Sequence, residues 1–90
     1  MSKTYYDRYM PIEVHSVKAS AAQAAANKVI FTLPYMVQGT IAQVKAADHT
    51  LNDTGLKIEV KEDATTKVVT VEVSVTALLA DQIVSLVAFK

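Results

Sequence analysis

The sequence predicts a small all-β domain, an antiparallel β-sandwich or barrel of six to seven strands. Two segments carry this prediction. Residues 67–76 alternate between apolar and polar side chains, and residues 82–90 are apolar on both faces of a strand. Turn-forming residues separate such segments at spacings typical of sandwiches and barrels. Ninety residues, 51% of them hydrophobic, are enough for one folded core.

Residues 1–11 are predicted to form an extended arm in front of a single β domain at residues 12–90. The segment fits neither helical nor strand periodicity, and it holds three of the four tyrosines. Tyrosine offers a large contact area and a hydrogen-bonding hydroxyl. Docking on its own domain and docking on a neighbouring subunit both fit this pattern. The candidate protein-interaction residues of the arm are Tyr5, Tyr6, Tyr9 and Met10.

Three strands are predicted in the first half of the domain, at residues 12–18, 29–33 and 40–46. The run at 29–33, VIFTL, is rich in β-branched and aromatic residues, which predicts a strand covered on both faces. Pro34 ends that strand because it cannot donate to a ladder. The segment at 47–55 then carries the densest turn signals of the chain.

The alanine-rich stretch at residues 19–28 is open to two interpretations. Alanine favours helix, and Ser20 with Gln23 has the spacing of a capping box. Eight or so residues are nevertheless few for an autonomous helix. A short helix near residues 20–27 and an ordered loop are equally compatible with the pattern.

Residues 56–76 are predicted to form a hairpin whose register follows from its alternation. A four-residue loop at 63–66 would place Val60 opposite Val69, so that apolar residues meet apolar residues. The same register places Lys57 opposite Glu72, a cross-strand ion pair on the solvated face.

The final strand has more apolar surface than one sheet can bury. One of its faces carries Val84, Leu86 and Ala88, and a sheet of a sandwich has a single inner face. The other face therefore needs a cover, from loops, from the amino-terminal arm or from another subunit, and a homo-oligomer is the favoured prediction. The candidate protein-interaction residues of this terminal strand are Ile83, Val87 and Phe89.

No residue cluster predicts a chemistry. Nine basic residues balance nine acidic ones, which argues against nucleic acid as a partner, and cysteine is absent, which excludes disulfides and thiolate metal sites. Asp48, His49 and Asp53 match no ligand spacing, no serine lies in a catalytic motif, and two glycines cannot build a phosphate loop. We expect no catalytic, cofactor-binding or metal-binding residue in this chain. We also expect that it is not an enzyme. The first residues are not expected to be a secretory signal, and no run of apolar residues is long enough to span a membrane.

The ending LLADQIVSLVAFK, preceded by KVVTVEVSVT, resembles the carboxy-terminal portion of small structural proteins from tailed bacteriophages. The stretch NKVIFTLPYMVQGTIAQVKAADHTLNDTG has the same sequence of strand, proline, strand and turn-rich loop. The resemblance covers about residues 28–90. Proteins of this kind include head decoration, or cement, proteins, which bind outside an icosahedral shell, often as trimers.

This resemblance implies a virion structural protein that is made in the host cytoplasm and located on the phage head. Its partner would be the major capsid protein or another virion protein, and a trimer would be the favoured homo-oligomer. The resemblance assigns no catalytic residues. The alternative function from another class is a small soluble β-sandwich that binds a glycan or another small ligand.

Overall fold

A computed structural model describes residues 12–90 and confirms the all-β prediction, with six strands and one short helix. In chain order the elements are β1 (Ile12–Lys18), α1 (Ala21–Ala26), β2 (Lys28–Leu33), β3 (Gly39–Lys45), β4 (Lys57–Asp63), β5 (Val68–Ser74) and β6 (Ile83–Phe89). The predicted arm at residues 1–11 lies outside the described residues.

The strands form two three-stranded antiparallel sheets. Sheet A has the order β1-β6-β3, and sheet B has the order β2-β5-β4. Strands β5 and β6 are therefore central, and each is paired on both sides. In a central strand the backbone N–H and C=O groups form hydrogen bonds with both neighbouring strands, so they do not need water as a partner.

The core lies between the inner faces of the two sheets. Alternate residues of each central strand point into it, because side chains of a strand alternate between faces. Leu86 is fully buried in sheet A and Val71 in sheet B, and each such burial contributes about 1.5–3 kcal/mol. The buried strand residues are Val29, Phe31, Leu33, Val44, Val69, Val71, Val73, Val84, Leu86 and Ala88.

Strand β2 corrects one expectation, that it would be covered on both faces. Its inner face is buried, but Ile30 on the outer face is 53% exposed and Thr32 is also exposed. The reason is that β2 is an edge strand of sheet B, so only its inner face meets the core. From an apolar run of five residues alone, a strand buried on both faces cannot be told from an edge strand with one exposed isoleucine.

Residues 19–28 contain the helix rather than the loop. Ser20 Oγ accepts a hydrogen bond from the Gln23 N–H at 3.2 Å, and Gln23 Oε1 accepts one from the Ser20 N–H at 2.9 Å. This capping box starts α1, and Asn27 ends it in the left-handed conformation at φ 58°.

The hairpin between β4 and β5 has a four-residue loop, as predicted, but the loop is 64–67 rather than 63–66. The Asp63 carboxylate causes this shift. Its Oδ1 accepts two backbone N–H groups of the loop, at 2.9 and 3.2 Å, and Lys67 closes the loop with a positive φ of 61°. Asp63 therefore serves as the last residue of β4 and as the cap of its turn.

The hairpin register is consequently displaced by two residues from the predicted one. Val60 lies opposite Val71 instead of Val69. Lys57 and Glu72 share the outer face but do not lie opposite each other, so the predicted ion pair is not formed. A displacement of two residues keeps every side chain on its predicted face, because the period of a strand is two.

Candidate protein-interaction surface

One half of the outer face of sheet A is apolar. The strand register places Val87 of β6 between Val14 of β1 and Ile41 of β3. In the next row of the sheet, Phe89 lies between Ile12 and Gly39. We call this surface the apolar face. Its side chains are Ile12, Val14, Ile41, Val87 and Phe89.

The edge strands contribute the most exposed part of the apolar face. Val14 is 63% exposed, Ile41 is 58% exposed and Ile12 is 42% exposed. Val87 and Phe89, on the central strand, are half-buried. Single exposed apolar residues are common on proteins, whereas a contiguous group of them is a candidate interaction surface. Within residues 12–90, no segment covers this group.

The other half of the same outer face is polar. Ser85 lies between Ser16 and Gln43, and the Ser16 and Ser85 hydroxyls are 3.0 Å apart. The last row holds Ile83 between two lysines, Lys18 and Lys45. The outer face of sheet A therefore changes along its strands from apolar at the Phe89 end to basic at the Ile83 end.

Gly39 lies beside Phe89 in the apolar face and contributes no side chain to it. A Cβ atom placed on Gly39 would lie 3.9 Å from Phe89 Cδ2, which is an ordinary packing distance. Any larger residue would cover that side of the ring. Among the six positions of the two apolar rows, Gly39 is thus the one without a side chain, and we call this gap, two residues before Ile41 in β3, the hollow.

The three interaction residues predicted on the terminal strand share the outer face of sheet A. Val87 and Phe89 belong to the apolar face, whereas Ile83 lies at the basic end. Their role in binding stays a prediction. Val14 and Ile41 were not among the interaction residues predicted from the sequence. Their outward position could have been inferred from the alternation of β1 and β3, but their place beside Val87 depends on the strand order. Tyr5, Tyr6, Tyr9 and Met10 lie outside the described residues.

The outer face of sheet B is charged in contrast. Glu59 and Glu72 lie opposite each other, and each is neutralised by a lysine at 3.3 Å, Lys61 and Lys28 respectively. Exposed ion pairs of this kind contribute little stability, but they keep a face solvated. Ile30 is an isolated exposed apolar residue on that face and serves below as a matched control.

A polar cluster fastens the β2–β3 connection to β1. The Tyr35 hydroxyl donates to Glu13 Oε1 at 2.8 Å, and His15 Nε2 lies 3.0 Å from that hydroxyl and 2.8 Å from the same carboxylate oxygen. Because the Tyr35 hydroxyl donates its proton to Glu13, this hydroxyl can only accept from His15. His15 Nε2 therefore carries a hydrogen and donates towards the hydroxyl and carboxylate oxygens. Lys90 Nζ completes the cluster at 3.6 Å from Glu13 Oε2.

The electrostatics of this cluster follow from these contacts. The hydrogen bond from Tyr35 lowers the pKa of Glu13, and the charges of His15 and Lys90 act in the same direction. Burial of the phenol, together with its hydrogen bond to Glu13, raises the pKa of Tyr35 to about 12. The Glu13 carboxyl is therefore ionised and the Tyr35 phenol protonated near neutral pH. These contacts tie the β2–β3 connection to β1.

A second polar network, at the opposite end of the sandwich, joins the β3–β4 and β5–β6 loops. The buried Gln82 side chain accepts hydrogen bonds through Oε1 from Asn52 Nδ2 at 2.9 Å and from the Leu79 N–H at 3.1 Å. Asn52 Nδ2 also donates to the Ala77 carbonyl at 2.8 Å. The pairing of Asn52 with Gln82 was not predicted from the sequence, because an isolated Asn or Gln gives no signal of its partner.

The turn-rich segment at 47–55 uses a carboxylate to hold its own backbone. Asp48 Oδ1 accepts the Thr50 N–H at 3.1 Å, a role in the turn that lowers the pKa of this carboxyl. Across residues 12–90, no group of three or more His, Asp or Glu side chains is placed to hold a metal ion. Two surface depressions, of about 320 and 270 Å³, lie at the β4–β5 hairpin and beside α1. Neither is lined by a residue of the Glu13 cluster.

Comparison of the chain with protein-family models, with curated proteins and with solved structures finds no match. The one helix in the described part of the chain, α1, has six residues, and no helix there is long and apolar enough to cross a membrane.

Proposed function

We propose that this chain is a structural protein that binds other protein subunits, and that it serves as a decoration protein on the head of a tailed bacteriophage. The observation that supports this proposal is the apolar face on the outer side of sheet A. No catalytic residue is part of the proposal. The phage assignment draws on the resemblance of residues 28–90, and the interaction role draws on the exposed surface.

Leaving the apolar face in water costs free energy, and this cost favours an interaction role. Val14 and Ile41 each keep more than half of their surface exposed. Covering either side chain would contribute about 1 kcal/mol, since full burial of such a residue is worth about 1.5–3 kcal/mol. The apolar centre and the polar row beside it are typical of the anatomy of a protein interface.

A decoration protein acts by bridging neighbouring subunits of a shell and adding buried contact area against internal pressure. In the proposed mechanism, the arm at residues 1–11 contacts the shell and sheet A contacts further subunits. Ile12, the first residue of β1, is part of the apolar face. The point where the arm joins the domain is therefore adjacent to the surface that carries the proposal.

Binding to isolated heads tests this function. The purified full-length chain is mixed with heads from the phage that encodes it, prepared without this protein, and bound and free chain are separated by sedimentation. We expect saturable binding with a fixed number of copies per head. Deletion of residues 1–10 should weaken the binding while leaving the circular dichroism spectrum of the β domain unchanged.

Two results would contradict the proposal. One is the absence of saturable binding to heads, and the other is specific binding to a glycan array, which a decoration protein should leave unlabelled. A truncated chain that binds heads as well as the full-length chain would remove the arm from the mechanism.

A further inference from the structure

We infer that the apolar face binds the apolar face of a second copy of this chain, around a two-fold axis that crosses the strands between the Val87 row and the Phe89 row. This inference rests on the proposed structural role, because it names the occupant of the same surface. Three observations carry it: the placement of charge, the fit of shape and the size of the surface.

The charges on the outer face of sheet A select the orientation. Of its outward residues, only Lys18 and Lys45 are charged, and both lie in the row at the basic end. A two-fold axis parallel to the strands would stack these lysines on those of the second copy. An axis that crosses the strands places the two basic ends on opposite sides of the interface, away from each other, which avoids like-charge contact.

The shape of the apolar face is self-complementary in this orientation. A two-fold axis between the two apolar rows sets each row onto the other row of the second copy. Val87 then lies over Phe89, and the projecting Ile41 lies over Gly39. Ile41 is 58% exposed, and Gly39 offers the hollow beside the Phe89 ring. A projection therefore meets a hollow twice, once on each side of the axis.

The area of the apolar face predicts the strength of the pairing. Three of the five side chains are 42%, 63% and 58% exposed and the other two are half-buried. The apolar face then presents roughly 400 Å² in each copy, and with the adjoining polar row an interface would bury roughly 1,000 Å² in total. That total is at the low end of specific interfaces. We therefore expect a dimer that dissociates on dilution, with a Kd in the micromolar range.

Sedimentation velocity of the full-length chain over a series of concentrations tests this inference without any shell. We expect a monomer–dimer equilibrium with a limiting mass twice the 9.8 kDa of the chain. Val14→Lys and Ile41→Lys should each raise the Kd at least tenfold, because they place a charge in the interface. Ile30→Lys is the matched control, since Ile30 is 53% exposed on the outer face of sheet B, and it should leave the Kd unchanged.

The variant Gly39→Val distinguishes the proposed register from nonspecific association of apolar surfaces. Gly39 begins β3 and has no positive φ, so valine fits the backbone, and the new side chain would pack against Phe89. A surface that associates only because it is apolar would associate more strongly with an added valine. In the proposed register the valine fills the hollow that receives Ile41, so the Kd should rise.

The inference is overturned by a chain that is monomeric at every concentration, by a trimer, or by equal effects of Val14→Lys and Ile30→Lys. A monomer whose Val14→Lys variant no longer binds heads would assign the apolar face to the shell instead. A monomer whose apolar face becomes available only after residues 1–11 are deleted would assign it to the arm. Loss of head binding with an intact dimer would contradict the proposed function and leave this pairing standing.

Discussion

The Tyr35 hydroxyl donates a 2.8 Å hydrogen bond to Glu13 Oε1 and thereby attaches the β2–β3 connection to the edge strand β1. Glu13 points to the inner side of sheet A, next to the core rather than to the apolar face. A carboxylate in this position needs partners, and it has three, in Tyr35, His15 and Lys90. The cluster is thus a stabilising element that can be tested separately from any binding function.

Tyr35→Phe should destabilise the fold without changing its architecture. The variant keeps the ring and removes the hydroxyl, so Glu13 loses its closest neutral donor. We expect the free energy of unfolding to fall by about 1–2 kcal/mol, because the lost hydrogen bond has a charged but partly exposed acceptor. Urea denaturation at neutral pH measures this change. Glu13→Gln, which keeps an acceptor oxygen, should lose less, and an unchanged Tyr35→Phe midpoint would contradict the role of the bond.

The same residue predicts a loss of stability in alkali. The folded-state pKa of Tyr35 is raised from 10.0 to about 12. A raised pKa means that the fold favours the protonated phenol, so this contribution is complete below pH 10 and is lost as the pH rises towards 12. The urea midpoint of the wild-type chain should fall across this window more steeply than that of Tyr35→Phe. Parallel curves for the two proteins would disprove the linkage.

Lys67→Gly should stabilise the hairpin. Lys67 occupies the left-handed region at φ 61°, which is unfavourable for residues that carry a Cβ and open to glycine. The expected gain in the free energy of unfolding is about 1 kcal/mol. Thr66→Gly is the control, because Thr66 has no positive φ and glycine there only adds freedom to the unfolded chain. If both variants behave alike, the conformation of Lys67 does not limit stability.

Gln82→Leu should be costly although leucine has a similar volume and is less polar. The substitution removes the acceptor of the Asn52 side chain and of the Leu79 N–H. Leaving these donors without a partner should lower the free energy of unfolding by about 1–3 kcal/mol. Gln38→Leu, at an exposed position, should change it by no more than about 0.5 kcal/mol. Thermal denaturation of both variants provides the comparison.

Gly55→Ala should destabilise the loop before β4 for two separable reasons. Gly55 has a φ of 67°, and a Cβ there would collide with the Thr76 hydroxyl. We expect a loss of at least about 1 kcal/mol from backbone strain alone, with the collision added. The double variant Gly55→Ala/Thr76→Ala should recover the steric part and keep the backbone part. If Thr76→Ala gives no recovery in a double-mutant cycle, the collision is not the cause.

The side-chain faces of the strands were predictable from the sequence, whereas the register was only partly so. A period of two assigns every residue of β4 and β5 to the correct face, and the structure agrees at each position. It cannot distinguish registers that differ by two residues. That choice depends on Asp63, whose carboxylate caps the turn, and on Lys67, whose positive φ closes it. Both effects are local chemistry that an apolar pattern does not contain.

The candidate surface and the two polar networks depend on strand order, which the pattern does not provide. Glu13 and Tyr35 are separated by 22 positions, and Asn52 and Gln82 by 30. Val14 and Ile41 become neighbours of Val87 only because β6 lies between β1 and β3. The excess of apolar surface on the terminal strand was visible in the sequence, but the residues that extend it into a face were not.

The position of β6 in sheet A also bears on how the molecule reaches its native state. Ile12 of β1 and Gly39 of β3 both pair with Phe89, so neither edge of this sheet forms until distant parts of the chain meet. The β4–β5 hairpin is local and forms in microseconds, whereas closure of such long loops gives a high contact order and folding on a scale of milliseconds to seconds. During that interval β1 and β3 have no strand to pair with. Because the central strand of this sheet follows both of its neighbours in the chain, we expect slow refolding, and aggregation when refolding is attempted at high concentration.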